Sequence, residues 1–209
     1  MNIAWQLVSQ TDTSLFLTGK AGTGKTTFLR RLKDSLPKRM IVLAPTGVAA
    51  INAHGQTIHS FFQLPLSPFV PGYVQEERRT FYRMSDEKKR MMRSLDLLII
   101  DEISMVRADL LDAVDMELRK YRIHDIPFGG VQLLMIGDLC QLAPVINNED
   151  WKLLSQHYET PYFFSSKALQ NVDYTTIELQ TVYRQEDATF VSLLGKIRQN
   201  NIDQSVINS

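Results

Sequence analysis

Eight consecutive residues constrain this chain more than any other feature: Gly19-Lys20-Ala21-Gly22-Thr23-Gly24-Lys25-Thr26, an uninterrupted G-x-x-x-x-G-K-[ST] loop. A polyphosphate needs several donors converging on its oxygens. Glycine lets the backbone form a nest whose N–H groups point inward without side-chain obstruction. Gly19, Ala21, Gly22, Thr23, Gly24, Lys25, Thr26 and Thr27 are therefore the expected phosphate-binding positions. Lys25 would bring a mobile point charge to the terminal phosphates, and the Thr26 hydroxyl would enter the coordination shell of a Mg²⁺ ion. The flanks suit this role. Ser14–Thr18 reads as a short buried strand, and Thr26–Leu32 as a helix whose positive end faces the anion.

Composition enters as a set of exclusions. At 209 residues, 44% hydrophobic and 22% charged, the chain suits one large domain with a small insertion. Basic and acidic residues balance at 23 each, so no global field points to a nucleic acid or a membrane, and any charged partner must be met locally. Cys140 is a lone cysteine, read as a small buried filler, and the 4 histidines show no metal-site spacing. A reducing compartment without zinc is expected: the cytoplasm, or the nucleus or mitochondrion in a eukaryote. Met1–Gln6 lacks the pattern of a signal peptide or membrane span, so no membrane partner is expected.

Taken in order, residues 2–10 pattern as a short amphipathic helix using Ile3, Leu7 and Val8, and Met40–Ala44 forms a second strand after Pro37. Alternating strand and helix predicts an α/β domain with a mainly parallel sheet covered on both faces. Pro45–Asn52 supplies a turn and another helix start, followed by Thr57–Phe62. Residues 64–94 shift in composition, with Pro65, Pro68 and Pro71 and then a charge-dense segment, as an insertion would. Arg78, Arg79, Arg83, Lys88, Lys89, Arg90 and Arg93 face only Asp86 and Glu87, with Phe81 and Tyr82 among them. Contact with a phosphodiester strand and a solvated helix face fit this run equally.

Leu95–Ile100 reads as a buried strand ending in Asp101-Glu102, the Walker B arrangement. Ligands of an open α/β sheet sit at that edge, so Asp101 is the expected Mg²⁺ ligand beside Thr26, and Glu102 the group that orients or deprotonates the attacking water. Along Ala108–Tyr121, Leu110, Leu111, Val114, Leu118 and Tyr121 share one face, and Asp109, Asp112, Asp115 and Glu117 read as the outside of a packed helix. Phe128-Gly129-Gly130 turns the chain into the strand Val131–Ile136, beyond which Gln141 is a candidate γ-phosphate sensor. A helical stretch near Trp151–Leu154, a β-rich run Tyr174–Leu179, a helix through Phe190, Leu193, Leu194 and Ile197, and a polar tail complete the pattern.

Five segments in this order, GKAGTGKTT, APTGVAAINAHGQTIHSFF, DEISM, GDLCQLAPV and LQTVYRQ, resemble the Pif-type helicases of superfamily one, relatives of RecD. The resemblance implies a P-loop NTPase fold, a RecA-like three-layer α/β/α lobe of a 5′→3′ DNA helicase that couples ATP hydrolysis, with Mg²⁺, to movement along single-stranded DNA. It makes Lys25, Glu102, Gln141 and Arg184 the catalytic set, with Arg184 approaching the γ-phosphate. Asn2 falls where the family has an adenine-contacting amide. Thr46, Gly47, Thr57 and His59 lie in segments that hold the DNA backbone. Roles in repair, recombination and telomere maintenance follow from the same resemblance. The expected organisation is a lobe of residues 1–63 and 95–200, a wedge-like insertion at 64–94 and a polar tail at 201–209, in a monomer. Only 24 residues follow Gln185, fewer than a second RecA-like lobe needs, so the chain is expected to be the first lobe of a longer helicase and to hydrolyse ATP poorly alone. A P-loop ATPase of a clamp-loader-like class and a non-catalytic nucleotide-gated DNA-binding module are the alternatives.

Overall fold

Apolar runs become interior strands when a parallel sheet, covered on both faces, has no wet side. The computed structural model describes residues 2–71 and 84–183. In it β1 (Ser14–Gly19), β2 (Met40–Ala44), β3 (Gln56–Thr57), β4 (Leu97–Ile100), β5 (Gln132–Gly137) and β6 (Tyr174–Leu179) form one sheet. Its order is β3-β2-β4-β5-β1-β6, with every neighbouring pair parallel. Thus β1, which enters the phosphate loop, lies between β5 and the edge strand β6.

Successive side chains of a strand point to opposite faces. Phe16, Leu98, Ile100, Leu133 and Met135 pack toward α4 (Ile58–Phe62), α5 (Asp86–Ser94) and α6 (Ala108–Tyr121). Leu15, Leu17, Leu97, Ile99, Leu134 and Ile136 face α1 (Asn2–Gln10) and α2 (Lys25–Ser35). The result is the expected RecA-like three-layer sandwich. From α2, Phe28, Leu29 and Leu32 are at most 1% exposed, each burial stabilising by about 1.5–3 kcal/mol. Two short helices, α3 (Gly47–Asn52) and α7 (Asn148–Leu154), complete the set. Among the described residues no helix is long and apolar enough to cross a membrane.

Basic side chains close three helix ends. Lys33 Nζ donates to the carbonyls of Ala53 at 3.2 Å and His54 at 2.9 Å beyond α3. Lys88 Nζ donates to Ser60 at 2.8 Å and Phe61 at 3.2 Å in α4. Arg122 donates to Met92 at 3.1 Å and Arg93 at 2.8 Å in α5. Each cation satisfies orphan carbonyls and opposes the partial negative charge of the helix end. Lys88, from the basic run, is therefore engaged within the fold, and Lys89 pairs with Asp86 at 2.9 Å. Arg78, Arg79, Phe81, Tyr82 and Arg83 lie outside the described residues, as do the expected helix through Phe190 and Ile197 and the tail.

Helix α6 corrects the sequence reading. Its apolar face packs as expected, but Asp109, Asp112, Asp115 and Glu117 are also buried, at 1%, 7%, 9% and 9% exposure. Loops laid over the acidic side supply donors. Asp109 takes the Arg107 guanidinium at 2.8 Å and the Phe69 N–H at 2.9 Å. Asp112 takes the Tyr158 hydroxyl at 2.8 Å, the Ala168 N–H at 3.0 Å, the Lys167 N–H at 3.2 Å and the Ser166 hydroxyl. Asp115 takes Arg119 at 2.9 Å and the Phe128 N–H, and Glu117 takes Lys120 at 2.6 Å. Carboxylates are tolerated in an interior when charge-assisted donors converge on them. Burial, then the Asp112 carboxylate, pushes the Tyr158 phenol far above its ordinary range, leaving it a donor.

Candidate functional site

The phosphate loop is shaped by what glycine alone permits. Gly22 and Gly24 have φ of 78° and 94°, left-handed values that a side chain strains. At Gly19 a Cβ would lie 2.6 Å from the Leu179 carbonyl oxygen and 2.8 Å from the Thr23 hydroxyl. Thr23 is 1% exposed and donates to the Lys20 carbonyl at 2.8 Å, bracing the loop from within. Lys25 Nζ donates to the carbonyls of Gly19 at 2.6 Å and Lys20 at 3.0 Å, which holds the ammonium against the loop. Thr26 and Thr27 are exposed in the first turn of α2.

Beyond β5 from this loop, β4 delivers Asp101 and Glu102 to the same edge. The Asp101 N–H donates to Leu43 at 2.8 Å, and its Oδ1 accepts the Glu102 N–H at 3.0 Å. Glu102 has φ 51° and ψ 44°, a left-handed conformation uncommon outside glycine. Burial raises both carboxyls above their ordinary range. Asp101 adds to the rise at Glu102, and the Lys25 charge opposes it at both. A basic Glu102 suits proton acceptance from water.

The end of β5 completes the edge. Asp138, 1% exposed, accepts the Cys140 N–H and the Gln141 side-chain amide, each at 3.1 Å. Cys140 itself is exposed, not the buried filler expected, because the chain turns outward directly after Asp138. Past β6, the Tyr183 N–H donates to the Gly22 carbonyl at 2.9 Å and its ring is 71% exposed beside the loop. Arg184 lies outside the described residues. Sequence reasoning missed Asp138 and Tyr183. Their signals were an acid directly after a buried strand and an aromatic directly before Arg184.

The remaining candidates are distributed along the edge. Thr46 and Thr57 follow β2 and end β3, whose register pairs Ala44 with Thr57. Both hydroxyls are helix caps, accepting from Ala49 and Ser60, each at 3.2 Å. Gly47 is exposed, with no atom near where a Cβ would sit. His59 is half-buried, and burial followed by the Arg107 charge lowers its imidazole below the ordinary range. Asn2 is exposed at the start of α1, and no hydrogen bond joins it to the loop among the described residues.

No group of three or more His, Cys, Asp or Glu among the described residues could hold a metal ion alone. Mg²⁺ commonly uses one or two protein ligands, with phosphates and water filling the shell. The exposed Thr26 hydroxyl and the Asp101 carboxylate fit that donor set.

The chain matches the family described as PIF1-like helicase over residues 2–206. It is 37% identical over 196 residues to the ATP-dependent DNA helicase PIF1 of Saccharomyces cerevisiae (strain YJM789), an alignment covering 91% of this chain and 22% of that protein. The human ATP-dependent DNA helicase PIF1 is 37% identical over 200 residues, covering 92% and 28%. Among solved structures, a Pif1 helicase from Bacteroides in complex with ADP-AlF3 and ssDNA superposes with a TM-score of 0.92 at 40% identity, covering 99% of this chain and 47% of that one. The chain thus spans about a quarter of the length of these curated relatives and about half of that structure.

Proposed function

The chain belongs to the PIF1-like helicase family, and from that premise we propose that it is the ATP-binding lobe of a DNA helicase. The observation that carries this reading is the convergence of the phosphate loop, Asp101-Glu102 and Asp138-Gln141 on one edge, at the ends of β1, β4 and β5, which lie side by side. Family membership sets aside the clamp-loader-like alternative.

In this reading ATP lies with its phosphates in the loop, and Lys25 exchanges its bonds to the Gly19 and Lys20 carbonyls for β- and γ-phosphate oxygens. Thr26 and Asp101 hold Mg²⁺, which when bound neutralises charge on the phosphates. Glu102 orients the attacking water and takes its proton. Gln141, turning from Asp138, meets the γ-phosphate, and Arg184, next to the loop-bound Tyr183, stabilises charge on the transferred phosphoryl group. The Tyr183 ring is a ready face for the adenine base.

Single-stranded DNA is the partner, held by its backbone along the edge formed after β2 and β3. With the Thr46 and Thr57 hydroxyls engaged as caps, the main-chain N–H groups near Gly47 are the donors that suit phosphate contact without reading sequence. A second RecA-like lobe completes the nucleotide site on closure, and the cellular role is genome maintenance.

The test is titration of a fluorescent ATP analogue with Mg²⁺, alongside hydrolysis with and without single-stranded DNA and with the second lobe supplied in trans. Binding by the parent, none by Lys25→Ala, and binding without turnover by Glu102→Gln are expected. Normal binding by Lys25→Ala would overturn the reading.

A further inference from the structure

Ser104 stands two residues beyond Glu102, in the tight turn Ile103–Met105 that opens from the left-handed Glu102. It is 1% exposed, and its hydroxyl has no hydrogen-bond partner among the described residues. A hydroxyl shut away from water without a partner is a net cost to a fold, and an alanine of similar size would avoid it. Left-handed backbone at a glutamate is a second cost in the same turn. The hydroxyl is not needed to hold the turn closed. The Met105 N–H donates to Glu102 and the Val106 N–H to Ile103, both at 3.0 Å.

The adjacent strand grips this turn. A Cβ on Gly137 would lie 2.9 Å from Ile103 Cγ2, 3.1 Å from the Ile103 nitrogen and 3.2 Å from the Ser104 nitrogen, so the end of β5 rests directly on the turn. The next residue is Asp138, whose carboxylate holds the Gln141 amide at 3.1 Å. A move of Gln141 toward a γ-phosphate therefore has a packed route to Ser104, through Asp138 and Gly137.

Resting on the nucleotide reading above, we infer that Ser104 is a positioning residue whose hydroxyl gains its hydrogen-bond partner in the triphosphate-bound arrangement of the turns Glu102–Met105 and Asp138–Gln141. A ligand shifts an equilibrium only by its differential interaction with the two states. A hydroxyl unpaired in one arrangement and paired in the other supplies such a difference. Ser104 touches no phosphate; it acts by favouring the arrangement of the turn that carries Glu102.

The experiment compares the parent, Ser104→Ala and Lys25→Ala in urea unfolding without nucleotide, and in titrations with ADP and a non-hydrolysable ATP analogue in Mg²⁺. Free Ser104→Ala should be at least as stable as the parent and bind ADP equally. It should bind the triphosphate about fivefold to tenfold more weakly, the size of one net hydrogen bond. A free variant that is destabilised or unfolded, an equal loss for both nucleotides, or triphosphate affinity matching the parent would each overturn the role. A parent binding neither nucleotide better than Lys25→Ala would overturn the nucleotide reading itself, and this role with it.

Discussion

Replacing Asp112 by alanine is expected to remove about 3–5 kcal/mol of unfolding free energy, a large share of the roughly 5–15 kcal/mol that holds a typical domain. Its carboxylate receives four donors, from Tyr158, Ser166, Lys167 and Ala168. Lys167 is exposed as a residue and its bond is only partly buried, so its N–H is left out of the sum. Tyr158, Ser166 and Ala168 are 4%, 0% and 7% exposed, so two hydroxyls and one N–H are stranded with little access to water. Each stranded donor costs about 1–3 kcal/mol, and removing a buried charge offsets part of the total. The assay is urea unfolding at neutral pH followed by circular dichroism, with linear extrapolation to water. Tyr158→Phe alone should cost about 1 kcal/mol. In the double variant the phenol is no longer stranded, so the combined loss should fall below the sum of the two. A loss under about 1 kcal/mol for Asp112→Ala, or strict additivity, would refute the view that this acid anchors the loop over α6.

Gly137→Ala should destabilise by about 1–3 kcal/mol through overpacking and, with the second lobe supplied in trans, slow ATP hydrolysis more than it weakens nucleotide binding, which unfolding and phosphate-release assays read separately. The Arg39 guanidinium, bonded at 2.8 and 2.6 Å, holds the Asp96 carboxyl down at about 2. That contribution is full above the unfolded value of about 3.9 and is lost as pH falls toward about 2. Asp96→Asn should therefore flatten the Tm–pH curve between about pH 4 and 2, and curves that stay parallel there contradict the pairing. Cys140 is exposed, so a thiol reagent should modify the native protein once and promptly; reaction only after unfolding would contradict its placement.

Local chemistry made much of the site legible. The loop Gly19–Thr26 fixes its own backbone by where glycine falls, and Asp101-Glu102 follows a strand too apolar to be anything but interior. The strand order was not legible, because pairing β1 with β5 and β6 is a long-range choice that no periodicity records. The acids of α6 misled for a related reason. Helical periodicity distinguishes one face from another, but it does not reveal that loops around Phe69, Phe128 and Ala168 lie across the polar side and turn their N–H groups inward. Cys140 was misplaced because its apolar flanks, Leu139 and Leu142, are themselves 42% and 68% exposed. Thr46 and Thr57 carry ordinary cap chemistry, readable beforehand from a threonine at the start of each helix.

The place of β1 in the sheet sets a timetable for synthesis. Of the six strands in this sheet it is translated before the others, yet its partners come late: Leu15 pairs with Leu134 and Ser14 with Tyr174. At about 5–20 residues per second, β1 waits on the order of ten seconds for β5 and longer for β6. Through that interval the emerging chain carries an apolar strand with both edges open, followed by a phosphate loop that Leu179 has not yet backed. Ribosome-bound intermediates should therefore recruit chaperones over residues 14–19, and competence to bind nucleotide should appear abruptly, once β6 has left the exit tunnel and backed the loop.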